Sequence, residues 1–375
     1  MRNDTADRGR QNNGRAAAQV LIDLCGHGAQ LVRLLMIYFS MRTLFLSGLA
    51  LCLAASVSLA DEAFFSADGK SVTFVPRTGE GYLLRLDIDS AKVTKLRLGP
   101  AVTNDTVTAL CRGGDGETLL TTANGVYVHD AKGTRKLAAT PVQDDWPSED
   151  LAAAPASMPD VGDWLFLSGT DASDKSRRTL YARNPGAKGF EPVFCRRVER
   201  VGASVFTPSG RFFFGGDGDL WEGSFEVTRD GGAVSTVLVG ARVAPLGVFN
   251  TDMSNSGTMW VEQVMVAGRA LYVRLHGHLI SELVRVPIHP TPALDEKAGA
   301  MSGTAPNYRY QSEVMSKVEV ITIPENDIRI SAAISIEGSE RLFYRASDGE
   351  GNLGLYIWDY NTGKSRKVAV EKSEE

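Results

Sequence analysis

The stretch that decides the fold is FSADGKSVTF, residues 65–74. An Asp-Gly turn stands here between two short segments rich in aromatic and β-branched residues, which is the pattern of a β-hairpin. A polar glycine turn followed by an apolar strand then returns along the chain. The copies are SADGKSVTF (66–74), GGDGETLLT (113–121), PDVGDWLFL (159–167), TPSGRFFFG (207–215), SNSGTMWVE (254–262) and IEGSERLFY (336–344).

The spacing of these copies indicates a structural repeat. The first five turn glycines, Gly69, Gly116, Gly162, Gly210 and Gly257, are separated by 47, 46, 48 and 47 residues. A second strand-like segment with an aromatic residue follows each turn, so two features keep the same phase. These segments are YLLRL (82–86), GVYVH (125–129), TLYAR (179–183), DLWEG (219–223), ALYVR (270–274) and GLYIW (354–358).

A repeat of this length predicts an all-β fold, a β-propeller. One four-stranded antiparallel sheet cannot bury both of its faces, whereas sheets arranged around an axis bury their faces against each other. Blades of about 40 to 50 residues are typical of propellers. We expect six blades of four antiparallel strands over residues 61–375, with seven blades as the alternative.

The sixth copy follows the fifth after a longer interval and predicts an insertion at about residues 289–322, between blades five and six. Long excursions from a compact repeat are often functional or capping loops. The alternatives are an inert surface loop or a degenerate seventh blade that uses VEVITI (318–323).

Three copies carry a family resemblance. FSADGKSVTF (65–74) and FTPSGRFFF (206–214) resemble the FSPDGKxxxF signature of TolB-type, WD-like β-propellers, and SDGEGNLGLYIWD (347–359) resembles the turn and strand that follow it. The resemblance covers roughly residues 61–370. It implies a six-bladed scaffold, often periplasmic, that makes protein contacts or acts as a gate, and it carries no catalytic residues.

The N-terminal region predicts export. Residues 41–60 combine Arg42, an apolar stretch and small residues before Asp61. This pattern is typical of a signal peptide, and it predicts cleavage between Ala60 and Asp61. Residues 1–40 are then an upstream extension of the reading frame without regular structure. An uncleaved segment acting as a membrane anchor is the alternative. The predicted location is periplasmic or secreted.

Composition excludes several classes of protein. The chain has 375 residues, 40 basic and 45 acidic, so its formal net charge is −5, and 43% of its residues are hydrophobic. This is ordinary globular composition, and it argues against a disordered chain, a polytopic membrane protein and a nucleic-acid binder. Removing residues 1–60 removes six arginines and three aspartates, which leaves 34 basic and 42 acidic residues and a net charge of −8.

Few residues suggest chemistry. His276 and His278 lie on one face of a predicted strand and could begin a metal site, but zinc normally takes at least three protein ligands. Asp217 and Asp219 stand in a glycine-rich turn of the kind that calcium sites use, with a plain hairpin as the alternative.

The two cysteines beyond the signal segment are expected to be separate thiols. The repeat places Cys111 on the inner strand of blade two and Cys195 on the outer strand of blade three, farther apart than a disulfide allows. No G-x-S-x-G nucleophile motif occurs in the sequence.

The sequence therefore favours a binding scaffold over an enzyme. We expect an unknown protein or small ligand at the mouth of the central channel, no cofactor, no nucleic acid, and a membrane only if the signal segment is retained. A metal-dependent propeller hydrolase or lactonase, with its site in the channel, is the alternative.

Overall fold

A computed structural model describes residues 62–77, 81–102, 105–113, 117–141, 150–171, 178–198, 200–230, 233–249, 260–277, 281–294, 308–325, 328–347 and 353–371. The predicted upstream extension, the signal peptide and its cleavage site at Ala60 and Asp61 lie outside these residues, as does His278. Within the described ranges, no helix combines the length and the apolar character needed to cross a membrane.

The part of the chain that the structure describes forms six runs of four consecutive antiparallel strands, which we call meanders 1 to 6. The confirmed fold class is all-β with a propeller-like arrangement. The strands of meanders 1 to 3 are β1 Ala63–Phe65, β2 Ser71–Phe74, β3 Tyr82–Asp87, β4 Lys92–Arg97, β5 Val107–Arg112, β6 Thr118–Thr122, β7 Gly125–Asp130, β8 Gly133–Ala138, β9 Asp150–Ala153, β10 Leu165–Thr170, β11 Arg178–Arg183 and β12 Glu191–Arg196.

Meanders 4 to 6 follow in the same order, with two short helices between strands. Their elements are β13 Val201–Phe206, β14 Phe212–Gly216, β15 Asp219–Asp230, β16 Ala233–Ala244, a 3-10 helix Leu246–Phe249, β17 Trp260–Ala267, β18 Ala270–His276, β19 Ser281–Pro287, α1 Tyr308–Met315, β20 Glu319–Val320, β21 Arg329–Ile336, β22 Ser339–Ser347, β23 Leu353–Asp359 and β24 Lys364–Glu371.

The meanders surround a common axis. The first strands β1, β5, β9, β13, β17 and β21 contact one another in this order, and β21 contacts β1 again. Each pair of consecutive meanders shares a hydrophobic cluster, and the cluster of Phe65, Phe74 and Phe343 joins meander 6 to meander 1. Each sheet thus buries both faces against its neighbours.

The prediction of six separate four-stranded sheets is wrong at one place. Meanders 3 and 4 form a single eight-stranded sheet, so the described residues form four sheets of four strands and one of eight. The cause is the length of β15 and β16, 12 residues each. This hairpin reaches the outer edge of meander 3, where Phe194–Arg196 pair in parallel with Val237–Val239. Pro192 lacks the N–H needed to continue that ladder.

The predicted turns are present in four copies, at Gly69, Gly162, Gly210 and Gly338, whereas Gly116 and Gly257 lie outside the described residues. Gly69 and Gly210 adopt φ values of 64° and 85°, which glycine tolerates and which close the hairpins between first and second strands. The fifth copy was assigned wrongly. Its turn is at Gly268, 58 residues after Gly210, because the long β15–β16 hairpin delays meander 5. The corresponding aromatic segments of the other copies lie in third strands, whereas residues 270–274 lie in β18, the second strand of meander 5.

The predicted insertion lies inside meander 5 and not between two meanders. The chain leaves β19, forms α1 and returns as β20, whose Val320 pairs with Val284 of β19. Glu319 and Val320 of the VEVITI segment are therefore the outer strand of meander 5. Helix α1 packs Tyr310 and Val314 into the cluster between meanders 4 and 5.

Candidate ligand-binding site at one mouth of the channel

The first strands begin at a common mouth of the channel, which we call the entry mouth. Glu62, one residue before β1, contacts Arg329, the first residue of β21. Asp150, the first residue of β9, contacts Ser204 of β13. The second strands run antiparallel to the first, so they end at this mouth.

Backbone irregularities concentrate near the entry mouth. The pairing of first and second strands shifts register near the beginning of four first strands, β5, β13, β17 and β21. Such bulges redirect side chains and are frequent beside functional sites. In β17 the extra residue is Glu262, between Val261 and Gln263.

The most exposed aromatic side chain at this mouth belongs to the β17–β18 hairpin. Trp260 is 46% exposed, pairs across the strands with His276, and their ring centroids lie 4.8 Å apart. Two residues further into the hairpin, Arg274 Nε lies 3.0 Å from Glu262 Oε2. Because alternate residues of a strand share a face, Arg274 and His276 lie on the same side, together with Trp260 and Glu262. This face offers an indole ring beside charged groups.

A network of ion pairs adjoins that face. Arg345, buried at the end of β22, pairs with Glu62 and places Nη1 3.5 Å from Glu371 Oε2. Arg329 Nη2 lies 3.2 Å from Glu62 Oε1. Burial lowers the pKa of the Arg345 guanidinium, and its carboxylate partner Glu371 opposes this effect. The network joins both ends of the described chain around the entry mouth.

A second polar group lies between meanders 3 and 4. The Asp150 carboxylate accepts hydrogen bonds from the Ser204 backbone N–H and, at 2.9 Å, from the Ser204 hydroxyl. Burial raises the pKa of Asp150 to about 7, although the bonds from Ser204 and the charge of Arg178 act in the opposite direction. The Ser204 side chain is buried, so this pair holds two meanders together and is closed to a substrate.

The residues predicted as metal ligands fall into different environments. His276 lies at the entry mouth beside Trp260. Asp217 has a φ of 50° in the turn before β15, and Asp219 Oδ2 accepts a hydrogen bond from Arg242 at 3.1 Å. Among the described residues, no group of three His, Cys, Asp or Glu side chains is placed to hold a metal ion. With His278 outside those residues, the metal site stays a prediction.

The cysteine prediction is confirmed. Cys111 lies on β5, an inner strand, and Cys195 lies on β12, an outer strand, and no disulfide joins these two described residues. Burial raises the pKa of the Cys195 thiol to about 11.

Sequence reasoning missed the residues of the entry mouth. Residues 260–262 follow the fifth turn glycine of the repeat pattern, as the second strands of other copies follow theirs, whereas the structure places them in the first strand β17. The pattern therefore did not point to Trp260 and Glu262 as residues of the mouth. The contacts of Glu62 with Arg329 and Arg345 join positions more than 260 residues apart, and no spacing in the sequence indicates them. Trp260 itself is a signal that the sequence offers, because tryptophan is enriched in recognition sites.

The chain matches no protein family model and no curated protein. It is similar to solved structures. A calcium-binding regucalcin from Agrobacterium tumefaciens is 13% identical, with 77% of this chain and 82% of that chain covered and a TM-score of 0.44. A puromycin-hydrolyzing peptidase from Mycobacterium tuberculosis is 13% identical, with 84% of this chain and 44% of that chain covered and a TM-score of 0.42. These values assign neither a family nor an activity.

Proposed function

We propose that this protein is a secreted or periplasmic propeller scaffold that binds a protein or small ligand at the entry mouth. One observation carries the proposal, namely the exposure of Trp260 beside His276, Glu262 and Arg274. Aromatic side chains supply much of the binding energy in recognition sites, and nearby polar groups fix the orientation of the ligand. A rigid ring of sheets suits such a role because it holds these groups in fixed positions.

The repeat signature supports the same reading. Residues 65–74 and 206–214, which resemble the TolB-type repeat, both form hairpins between first and second strands. These hairpins are part of the frame of sheets, which supports the proposal of a scaffold. The metal-dependent hydrolase or lactonase, with its site in the channel, stays the alternative proposal.

Affinity capture tests the binding role. The chain is expressed in its own host from its own reading frame with a C-terminal tag and captured from the envelope fraction. We compare wild type, Trp260→Ala and the control Phe194→Ala, which removes a 67% exposed aromatic side chain on β12, away from the channel. The expected result is a bound component that wild type and Phe194→Ala retain and Trp260→Ala loses. Equal retention by all three proteins contradicts the proposal.

Cell fractionation tests the location. We expect the tagged chain in the periplasm or the medium, with Asp61 as its first residue. A chain that stays in the cytoplasm with residues 1–60 attached contradicts export.

A further inference from the structure

The hairpin of β17 and β18 presents an aromatic and polar face at the entry mouth. Val261 and Leu275 are buried in the cluster between meanders 4 and 5. Because side chains alternate between the two faces of a strand, Trp260 and His276 lie on the opposite face. These two residues are partners across the strands, and their ring centroids lie 4.8 Å apart. The hairpin thus holds an indole ring at the mouth, with Trp260 46% exposed.

A hydrogen-bonding pair lies beside this ring. The register between β17 and β18 shifts at Glu262, and a bulge of this kind redirects the side chain of the extra residue. Glu262 reaches Arg274 of β18, with 3.0 Å between Oε2 and Nε, and the two side chains are 12% and 20% exposed. The pair places an acceptor and a donor side by side, two residues along the strands from Trp260 and His276.

The ion pairs described at the entry mouth balance in charge. Each joins one arginine to one carboxylate, in the pairs Arg274–Glu262, Arg329–Glu62 and Arg345–Glu371. What these pairs offer a ligand is therefore a set of hydrogen-bond donors and acceptors, which are the groups that bind hydroxyls.

We propose that the entry mouth binds a sugar, whose C–H face lies against Trp260 while its hydroxyl groups bond with Arg274 and Glu262. The inference rests on the proposed function and names the ligand class for the same site. The face of an indole ring is negative, and it attracts the slightly positive C–H groups of a sugar ring. A hydroxyl both donates and accepts, so two neighbouring hydroxyls satisfy the carboxylate and the guanidinium together.

A ring without hydroxyls fits this place poorly. It would cover Arg274 and Glu262 and remove their water without replacing the lost hydrogen bonds, which costs free energy. Along β18, Arg274 and His276 lie about 7 Å apart at a strand rise of about 3.3 Å per residue. One sugar ring with its hydroxyls spans that distance. The shared chemistry is one sugar residue, either a free monosaccharide or the end of a glycan.

Saturation-transfer NMR of the full chain tests this proposal, because it shows which ligand protons contact the protein. The probes are the methyl glycosides of D-glucose, D-galactose, D-mannose and N-acetyl-D-glucosamine, with cyclohexanol as a ring that lacks neighbouring hydroxyls. We expect a sugar probe to bind about tenfold or more tightly than cyclohexanol, with the strongest signals on one face of its ring. An array of neutral glycans is the second arm. Binding there without binding of the free glycosides identifies the end of a glycan as the source.

Variants connect the binding to the site. Trp260→Ala is expected to weaken it about tenfold or more, whereas Trp260→Phe keeps a ring and part of the affinity, and it guards against a loss of folding. Glu262→Gln replaces a charged acceptor by a neutral amide and is expected to weaken binding about threefold to tenfold. The controls are Phe194→Ala on β12 and Glu226→Gln on β15, which change exposed side chains away from the channel and should bind as wild type does.

Three results overturn the proposal: no glycoside and no array glycan binds, cyclohexanol binds as tightly as the best sugar, or Trp260→Ala binds as tightly as Phe194→Ala. The capture experiment separates this failure from that of the proposed function. If the sugars fail while Trp260→Ala still loses a captured component, the ligand class is wrong and the binding role stands. If capture is also independent of Trp260, both are wrong.

Discussion

Arg345 and Glu62 lie 283 positions apart in the chain and form an ion pair between meander 6 and meander 1. No strand is shared between these meanders, because each consists of four consecutive strands. Among the described residues, side-chain packing, ion pairs and hydrogen bonds between side chains and backbone therefore close the ring at this interface, without a shared strand. The apolar part is the cluster of Phe65, Phe74 and Phe343, and the polar part is the Arg345 network.

Breaking that ion pair should open the ring at its closing interface. Arg345→Met leaves Glu62 and Glu371 buried without their shared cation, and we expect a loss of about 3–5 kcal/mol in the free energy of unfolding. Urea denaturation measures it. The control is Arg341→Met, whose partially exposed side chain lies 3.8 Å from Asp359 and should contribute less than about 1 kcal/mol. Equal losses in both variants would show that Arg345 is not part of the closure.

Local patterns explain what could be predicted of the fold. Asp-Gly and Ser-Gly turns and alternating strands depend on neighbouring residues, so the hairpins around Gly69 and Gly210 are readable from the sequence. The parallel pairing of Phe194–Arg196 with Val237–Val239 depends on where a long hairpin ends in space. The spacing of 47 residues between Gly210 and Gly257 is a coincidence, because the long β15–β16 hairpin places the turn of meander 5 at Gly268.

Titration of the buried Asp150 carboxyl should make the free energy of unfolding depend on pH. Burial raises its pKa from 3.8 to about 7 in the folded protein. The folded state therefore binds this proton more tightly than the unfolded state, and the contribution to stability falls as the pH rises from about 4 to about 7. We expect the difference in unfolding free energy between wild type and Asp150→Asn to change by a few kcal/mol over this range, on the order of 1.4 kcal/mol per pKa unit.

Melting curves of both proteins between pH 4 and pH 8 measure that difference. Ser204→Ala serves as the companion variant. The Ser204 hydroxyl donates a hydrogen bond to Asp150 and thereby lowers the pKa of that carboxyl. Its removal should raise this pKa, so the stability contribution of Asp150 should be lost at a higher pH. A difference between wild type and Asp150→Asn that is constant across the pH range would mean that Asp150 does not titrate there.

The entry mouth could be predicted only in outline. A propeller places ligands at a channel mouth, and the sequence therefore favours that region. The residues at the mouth are those at the beginnings of the first strands. Because meander 5 begins later than the repeat pattern predicts, Trp260 is the first residue of β17. The buried carboxylates Glu62 and Glu262 are ordinary acidic residues in the sequence, and only the fold brings arginines of other strands onto them.

The Cys195 thiol should be unreactive. Burial raises its pKa to about 11, and the thiolate is the nucleophilic form. At pH 8 only about one thiol in a thousand is then ionised, and alkylation by iodoacetamide should be far slower than for a free cysteine of pKa about 8.5. Mass spectrometry of timed samples follows the modification, with urea-unfolded protein as the control. Rapid labelling of Cys195 in the folded chain, or a cross-link to Cys111, would contradict the structure.

Glu222 anchors the segment that follows β19. Its carboxylate accepts hydrogen bonds from Arg211 Nε at 2.6 Å, Arg211 Nη2 at 2.9 Å and the Ala293 backbone N–H at 2.6 Å. Arg211 also donates to the backbone carbonyl of His289. Meander 4 thus holds the beginning of the excursion that carries helix α1.

Replacing Glu222 should release that excursion. Glu222→Gln leaves the Arg211 charge without its carboxylate, and we expect a loss of about 3–5 kcal/mol together with faster amide exchange in α1 than in the strands. Hydrogen exchange with mass spectrometry measures both regions. The matched control on the same strand is Glu226→Gln, because Glu226 pairs with Arg196 at 3.1 Å and both side chains are more than half exposed. That pair should contribute less than about 1 kcal/mol. If α1 exchanges at the wild-type rate in Glu222→Gln, the packing of Tyr310 and Val314 holds the helix without the anchor.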